Sequence, residues 1–327
     1  MKQLLPLLIV LLPLVVLAQP KGLRLASDVW PPFTNVESRQ RVALELVNEA
    51  LRRDDIVAVT EITDFKSVLD GITSGQYNGS AALWKNGERE KDFFFSEAYL
   101  ENRLVLVGRK GADVSSSSFK QLAGKRIAIV HGYAYGDEVD EAEGPVFVDG
   151  ESDQQNLRKL LVEEVDYMLV DALLVQYLKI HHLQEIGQYL EVGAIPFLRH
   201  TLHFALRKDV AGAESIISNF NQRIHEMAAD GSYNQILHIN WIEVDADGDG
   251  TMEYVLSGTN AGTRAPVSSY SVFANSGGGE NDQYLINGQV YKGWDTVPGE
   301  FKVAPTSDES LNKLRIFDFA VPNTPRK

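Results

Sequence analysis

Residues 74–110, SGQYNGSAALWKNGEREKDFFFSEAYLENRLVLVGRK, pass through three kinds of sequence in one run. Gly79–Trp84 (GSAALW) is a short apolar segment bounded by turn residues, which predicts a buried strand. Lys85–Asp92 is almost wholly charged, and Phe93, Phe94 and Phe95 follow together. A solvated loop has no need of three phenylalanines, and a core strand has no use for Glu88, Arg89, Glu90 and Lys91. The combination is a charged turn set directly beside an aromatic anchor. Glu101–Gly111 then reads as a long extended segment.

Working outward, strands alternate with helices. LRLASD (23–28) reads as a strand followed by the loop VWPPFTN. QRVALELVNEALRR places Val42, Leu46, Val47, Ala50 and Leu51 on one helical face. IVAVTEI (56–62) is a strand, and DFKSVLDGITSG a short helix stopped near Gly75. After the polar ADVSSSS the order repeats. KRIAIVHG is a strand leading into YAYGDEVDEA, read as a helix start. GPVFVDG is a strand, SDQQNLRKLLVEE a capped amphipathic helix and VDYMLVD a buried strand. FLRHTLHFALRKD (197–209) is a second long extended segment, and ESIISNFNQRIHEMAADGSY a helix closing at Gly231. Alternating strands and helices imply parallel sheets covered by helices. Two such units joined by long extended segments predict two lobes with a cleft between them.

The first residues, MKQLLPLLIVLLPLVVLAQP, have a basic start, an apolar run and a small-residue ending, the pattern of a secretory signal peptide over 1–18, cleaved after Ala18. The 327-residue chain contains no cysteine, which excludes thiolate metal sites and thiol nucleophiles. A net charge of −14 argues against nucleic acid and anionic membranes as partners.

After Trp241 the composition turns to Gly, Ser, Thr, Pro and Asn, predicting a small β-rich module over 241–327. EYVLSG, SYSVF, QYLINGQVY and LRIFDF are its strands, Asn287-Gly288 a hairpin turn and SDESLNKL a helix. Its entry, DADGDGTMEYV, sets Asp245, Asp247 and Asp249 at alternate positions, followed by Gly250, Thr251 and Glu253. Carboxylates so close repel one another unless a cation lies among them, and hard oxygen ligands at this spacing suit Ca²⁺ in a structural role. Leu256 stands where an EF-hand has its bidentate glutamate, so the pattern is nearer to short calcium loops. The alternative is a solvated Asp/Gly turn.

Residues 22–240 resemble, in order, the extracytoplasmic solute-binding proteins of amino-acid ABC transporters, the glutamine/histidine-binding type. The resemblance rests on Gly75, Tyr77, Glu88, Arg89, Phe95, Ser96 and Tyr99 in the opening stretch, and on LAGKRIAIVHGYAYGD, EEVDYMLVD and EMAADGSYNQIL. It implies an α/β, two-lobed periplasmic binding protein fold of type II, with lobe one formed by 22–106 and 198–240 and lobe two by 107–197. It also implies roles. Arg89 would grip a ligand α-carboxylate, Asp171 would receive an α-ammonium, Trp30 and Phe65 would sandwich the ligand side chain, and backbone amides at Tyr133 and Ala134 would complete the carboxylate site at a helix start. Taken alone, Arg89 is equally one charge in a solvated turn with Glu88 and Glu90 as partners, Asp171 a cap for the helix ALLVQYLK, and Trp30 and Phe65 ordinary core aromatics.

The chain departs from the family pattern at Trp84 and Asn86, where hydroxyl residues are usual, and at SRQRVALELV. A bulky indole shrinks the pocket. The ligand is then small, or stacks on aromatics, or is no amino acid. The implied function is an extracytoplasmic binding protein, not an enzyme, closing on a small amino-acid-like solute for an ABC transporter permease. The alternatives are a membrane sensor using the same cleft, or a cyclohexadienyl-dehydratase-like enzyme with Glu101 or Asp171 as its acid. A lytic transglycosylase would need a helical domain that the last 87 residues do not supply.

Overall fold

The computed structural model describes residues 21–181, 188–246, 249–256, 260–266, 270–271 and 283–303. The predicted leader, the SDESLNKL helix and the LRIFDF strand lie outside the described residues.

Lobe one begins with β1 (Lys21–Ser27), α1 (Val42–Arg52) and β2 (Ile56–Ile62), the two strands paired in parallel along their whole length. All five predicted apolar positions of α1 are buried. No side chain caps its start; instead the amides of Val42 and Ala43 donate to the carbonyls of Pro32 and Phe33, at 2.9 and 3.0 Å. The helix thereby clamps the WPPF loop, which contains a cis Pro31–Pro32 bond. Next come α2 (Phe65–Thr73), capped by the Asp64 carboxylate accepting from the Ser67 amide at 2.9 Å, and the wholly buried β3 (Gly79–Trp84). The triple phenylalanine forms a short strand, β4 (Phe93–Phe95), before β5 (Leu100–Arg109) carries the chain toward lobe two.

Lobe two contains β6 (Arg126–Val130), α3 (Asp137–Asp140), β7 (Val146–Gly150), α4 (Asp153–Leu161), β8 (Tyr167–Asp171), α5 (Ala172–His181) and β9 (Leu190–Val192). The chain returns through β10 (Leu198–Arg207) into α6 (Ala213–Asp230) and α7 (Ser232–Leu237), which close lobe one. The main strand order is β2-β1-β3-β10-β5-β8-β6-β7, with β4 on β10 and β9 on β5. Leu104 marks the crossing. Before it β5 pairs with β10, and after it with β8. These two ten-residue strands are the predicted long extended segments, and their length lets one sheet run through both lobes.

The C-terminal module is a five-stranded sheet, β13-β11-β12-β14-β15, built from β11 (Trp241–Val244), β12 (Glu253–Leu256), β13 (Tyr270–Ser271), β14 (Gln283–Ile286) and β15 (Gln289–Lys292). Asn287 and Gly288 both take positive φ, 51° and 76°, as a tight two-residue hairpin requires. The module does not hang free. Ile242, Val244 and Val255 belong to the large core cluster, and the Asn234 side chain donates to the Val255 carbonyl at 2.9 Å.

Candidate ligand-binding site between the lobes

In open α/β sheets, ligands gather outside the carboxyl ends of the strands. Here the chain leaving β1 supplies Asp28 and Trp30, that leaving β2 Phe65, the end of β3 Trp84, and that leaving β6 Tyr133 and Ala134. With Arg89 these residues line one space between the lobes. Six of the eight predicted ligand residues fall on this wall: Trp30, Phe65, Trp84, Arg89 and, from the opposite lobe, Tyr133 and Ala134.

The arginine turn is built as follows. β4 pairs with β10, Phe95 opposite Ala205 and Phe93 opposite Arg207, so the phenylalanines fasten the turn to the sheet by backbone as well as by packing. Asn86 does not line the space; its Oδ1 accepts from the Arg89 amide at 2.9 Å and shapes the turn. Glu88 pairs with Lys91 and Glu90 with Lys85, which leaves the Arg89 guanidinium to other partners. It lies 5.7 Å from the Phe65 ring centre and donates to two carbonyls, Trp84 O at 2.6 Å and, across the cleft, Gly132 O at 2.8 Å. Burial pulls its pKa down to about 10, so it stays a cation at neutral pH.

Lobe two answers with aromatic rings. Tyr133 meets Phe65, Trp84 and Trp30 edge-on, with centroids 4.7, 5.2 and 5.7 Å away. Its hydroxyl donates to Asp28 Oδ2 at 2.8 Å. Trp84 is held from behind by His200, stacked at 4.4 Å, and its indole N–H donates to Asn102 Oδ1 at 2.8 Å. Burial lowers the His200 pKa, which disfavours a charge on that ring. With these contacts made, the remaining space is about 10 Å³, no more than one water. The lobes are closed on each other.

Besides Asn86, two expectations are corrected by this geometry. Tyr133 and Ala134 do not stand at a helix start. They follow the His131–Gly132 turn after β6 in an irregular stretch, and the next helix is only Asp137–Asp140. The Tyr133 amide is itself directed to the Val130 carbonyl, at 3.3 Å. Asp171, second, does not line the space. Only 1% exposed, it accepts from Asn102 Nδ2 at 3.1 Å, the Arg103 amide at 3.0 Å and the Leu173 amide at 2.7 Å. It caps α5 and ties it to β5 where the chain crosses between lobes. Burial raises its pKa to about 7.

Two acids that the sequence reading passed over are shifted by burial: Asp28, which lines the space, and Asp153, which does not. Burial raises the Asp28 carboxyl to about 6, although the Tyr133 hydrogen bond works the other way. Asp153, at the start of α4, is pushed up to about 8 by burial and then by the negative charges of Asp28 and Asp171. Among the described residues no donor reaches the Asp153 carboxylate. Both acids follow directly on a strand or a capping serine, a position that could have marked them. Glu101 is buried between Arg103, at 3.1 Å, and Arg199, and so is engaged by two guanidiniums on the crossing strands.

The acidic turn is only partly described, because Asp247 lies outside the described residues. Asp245 Oδ2 accepts from the Gly250 amide at 2.9 Å, Asp249 Oδ1 from the Thr251 amide at 2.7 Å and Glu253 Oε2 from the Ala246 amide at 2.9 Å. Among the described residues no three His, Asp or Glu side chains gather as a metal site, and no helix is long and apolar enough to cross a membrane.

A cleft spanned by two crossing strands, with a half-buried guanidinium and the Asp28 carboxylate among its lining groups, belongs to a two-lobed fold built to close on something between its halves. Residues 23–243 match the family model of the bacterial extracellular solute-binding proteins, family 3, and the chain belongs to that family. No curated protein sequence matches. Solved structures that share the fold include an ancestral arginine-binding protein bound to arginine, with TM-score 0.57 and 22% identity over 67% of this chain and 97% of that one. An arginine transport-system periplasmic binding protein from Legionella pneumophila gives TM-score 0.55 and 21% identity over 66% and 97%. The glutamate-bound GluR0 ligand-binding core from Nostoc punctiforme gives 0.54 and 18% over 65% and 96%.

Proposed function

We propose that this protein is an exported binding protein that closes on a small amino-acid-like solute and delivers it to an ABC transporter permease. The observation that carries the reading is the Arg89 guanidinium. It is held over Phe65 and reaches across the cleft to a neutral carbonyl, Gly132 O, at 2.8 Å. A carboxylate brings a full opposite charge to a guanidinium, which a neutral carbonyl does not, and it can take two parallel bonds. A solute carboxylate would therefore replace that contact. Because it would touch both lobes, it would favour the closed form by its differential contacts.

The other end of the solute meets the acids. The carboxylate of Asp171 already accepts from three donors, so the cation is assigned to Asp28 and Asp153, whose like charges a cationic group would relieve. Between Trp30, Phe65 and Trp84 the slot suits a flat group. A basic amino acid with a planar side-chain head fits both demands, in line with the arginine-bound neighbours. Export by the 1–18 leader and a periplasmic location complete the reading.

Calorimetry against a panel of amino acids tests it. Basic amino acids should bind, and Arg89→Ala should weaken them several-fold to several-hundred-fold, since a charge-assisted hydrogen bond contributes about 1.5–3 kcal/mol. Absence of heat with every amino acid would sink the assignment.

A further inference from the structure

We propose that Tyr133 is a built-in competitor: lobe two inserts this ring into the aromatic slot of lobe one, and a solute enters only by displacing it. Three contacts support this, each bridging the lobes. The ring packs edge-on against Trp30, Phe65 and Trp84. Its hydroxyl donates to Asp28 at 2.8 Å. The carbonyl of the preceding residue, Gly132, accepts from Arg89 at 2.8 Å. A flat group, a donor to the acid and an acceptor for the guanidinium are together the outline of a bound solute, supplied here by two consecutive residues of the chain.

The backbone is shaped for this placement. Gly132 has φ 78°, a left-handed conformation that residues with a Cβ rarely adopt, and it turns the chain sharply at the end of β6. The next residue thus projects into the cleft. A small side chain at 133 would leave the slot empty. Tyrosine leaves about 10 Å³.

Two consequences follow from mass action. Closure no longer requires a solute, because the ring supplies the cross-lobe contacts itself. The apparent affinity for any solute is also scaled down to the fraction of molecules whose ring is withdrawn. This holds whatever solute the cleft takes, so it stands apart from the amino-acid reading.

The experiment uses p-cresol as a stand-in for the removed side chain. Tyr133→Ala should bind p-cresol saturably, at least tenfold more strongly than the wild-type protein, with a change in tryptophan fluorescence from Trp30 and Trp84. Tyr133→Phe keeps the ring and should exclude p-cresol as the wild type does. Small-angle scattering of the wild-type protein without added solute should show the closed dimensions, and Tyr133→Ala the more open ones until p-cresol is added. Circular dichroism checks that each variant is folded, and the wild-type scattering stands even if Tyr133→Ala is not. An open wild-type protein, or a folded Tyr133→Ala with no gain in p-cresol affinity, would overturn the proposal. Failure of the wild type to bind amino acids would leave it intact.

Discussion

Arg89 and Asp171 look alike as sequence features. Each is a single charge at the end of a predicted strand or turn, and each has a family counterpart that touches ligand. Their surroundings separate them. Arg89 spends its donors on two neutral carbonyls, one of them on the opposite lobe, and a better acceptor can replace that one. Asp171 spends its oxygens on two backbone amides and on Asn102, which also accepts from Trp84, so every partner belongs to the framework. The difference teaches that a buried charge is available to a ligand when its present partners are weak and lie across a moving boundary. A charge whose partners are fixed amides serves the scaffold.

The sharpest way to break this contrast is Asp171→Ala. It strands three donors at the crossing strands, two of them buried, and each buried unsatisfied donor costs about 1–3 kcal/mol. Urea unfolding should show a loss of about 3 kcal/mol or more; a loss under about 1 kcal/mol would mean that Asp171 is not structural. Arg89→Ala should do the opposite. Its effect should fall on solute affinity, while stability changes by less than about 1 kcal/mol because both carbonyls can turn to water when the lobes part. A large stability loss without a binding defect would reverse the two assignments.

pH sharpens the comparison further. Burial lifts Asp28, Asp171 and Asp153 to about 6, 7 and 8. Between about pH 4, where free carboxyls titrate, and pH 8, the closed protein therefore holds more protons than an unfolded chain. Stability should fall as pH rises through that window, with the closed form favoured at its acid end. Thermal melts from pH 4.5 to 8 measure the first, and scattering across the same range the second. Flat profiles would show that these acids are hydrated.

The smallest effect is expected from calcium. We propose that the Asp245–Glu253 turn holds it structurally, but Asp245, Asp249 and Glu253 already accept from backbone amides. Adding calcium after chelation should raise the melting temperature by only a few degrees, through its binding to the folded turn. An unchanged melt reduces the segment to a self-capped turn.

Much of the framework could be read without coordinates. IVAVTEI and GSAALW are β2 and β3 to the residue, the five apolar positions chosen for α1 are all buried, and Asn287-Gly288 makes the expected hairpin. Each is a short-range signal: alternation, helical period or a turn needing positive φ. The phenylalanine run was legible as an anchor, but its pairing with β10, more than a hundred residues on, was not. The helix expected after Gly132 shrank to four residues because Gly136, with φ 83°, interrupts it.

The amino-acid sequence alone determined the alternation of strands and helices, the two long connecting segments and the presence of a guanidinium on an anchored turn, because neighbours along the chain suffice for those. Only the tertiary structure decided that Tyr133 fills the cleft, that Asp28 lines it, and that Asp171 belongs to the crossing strands. These outcomes depend on which atoms from distant segments share one dry space, and no local pattern carries that information. Burial and partner geometry, rather than residue type, separate a binding group from a structural one.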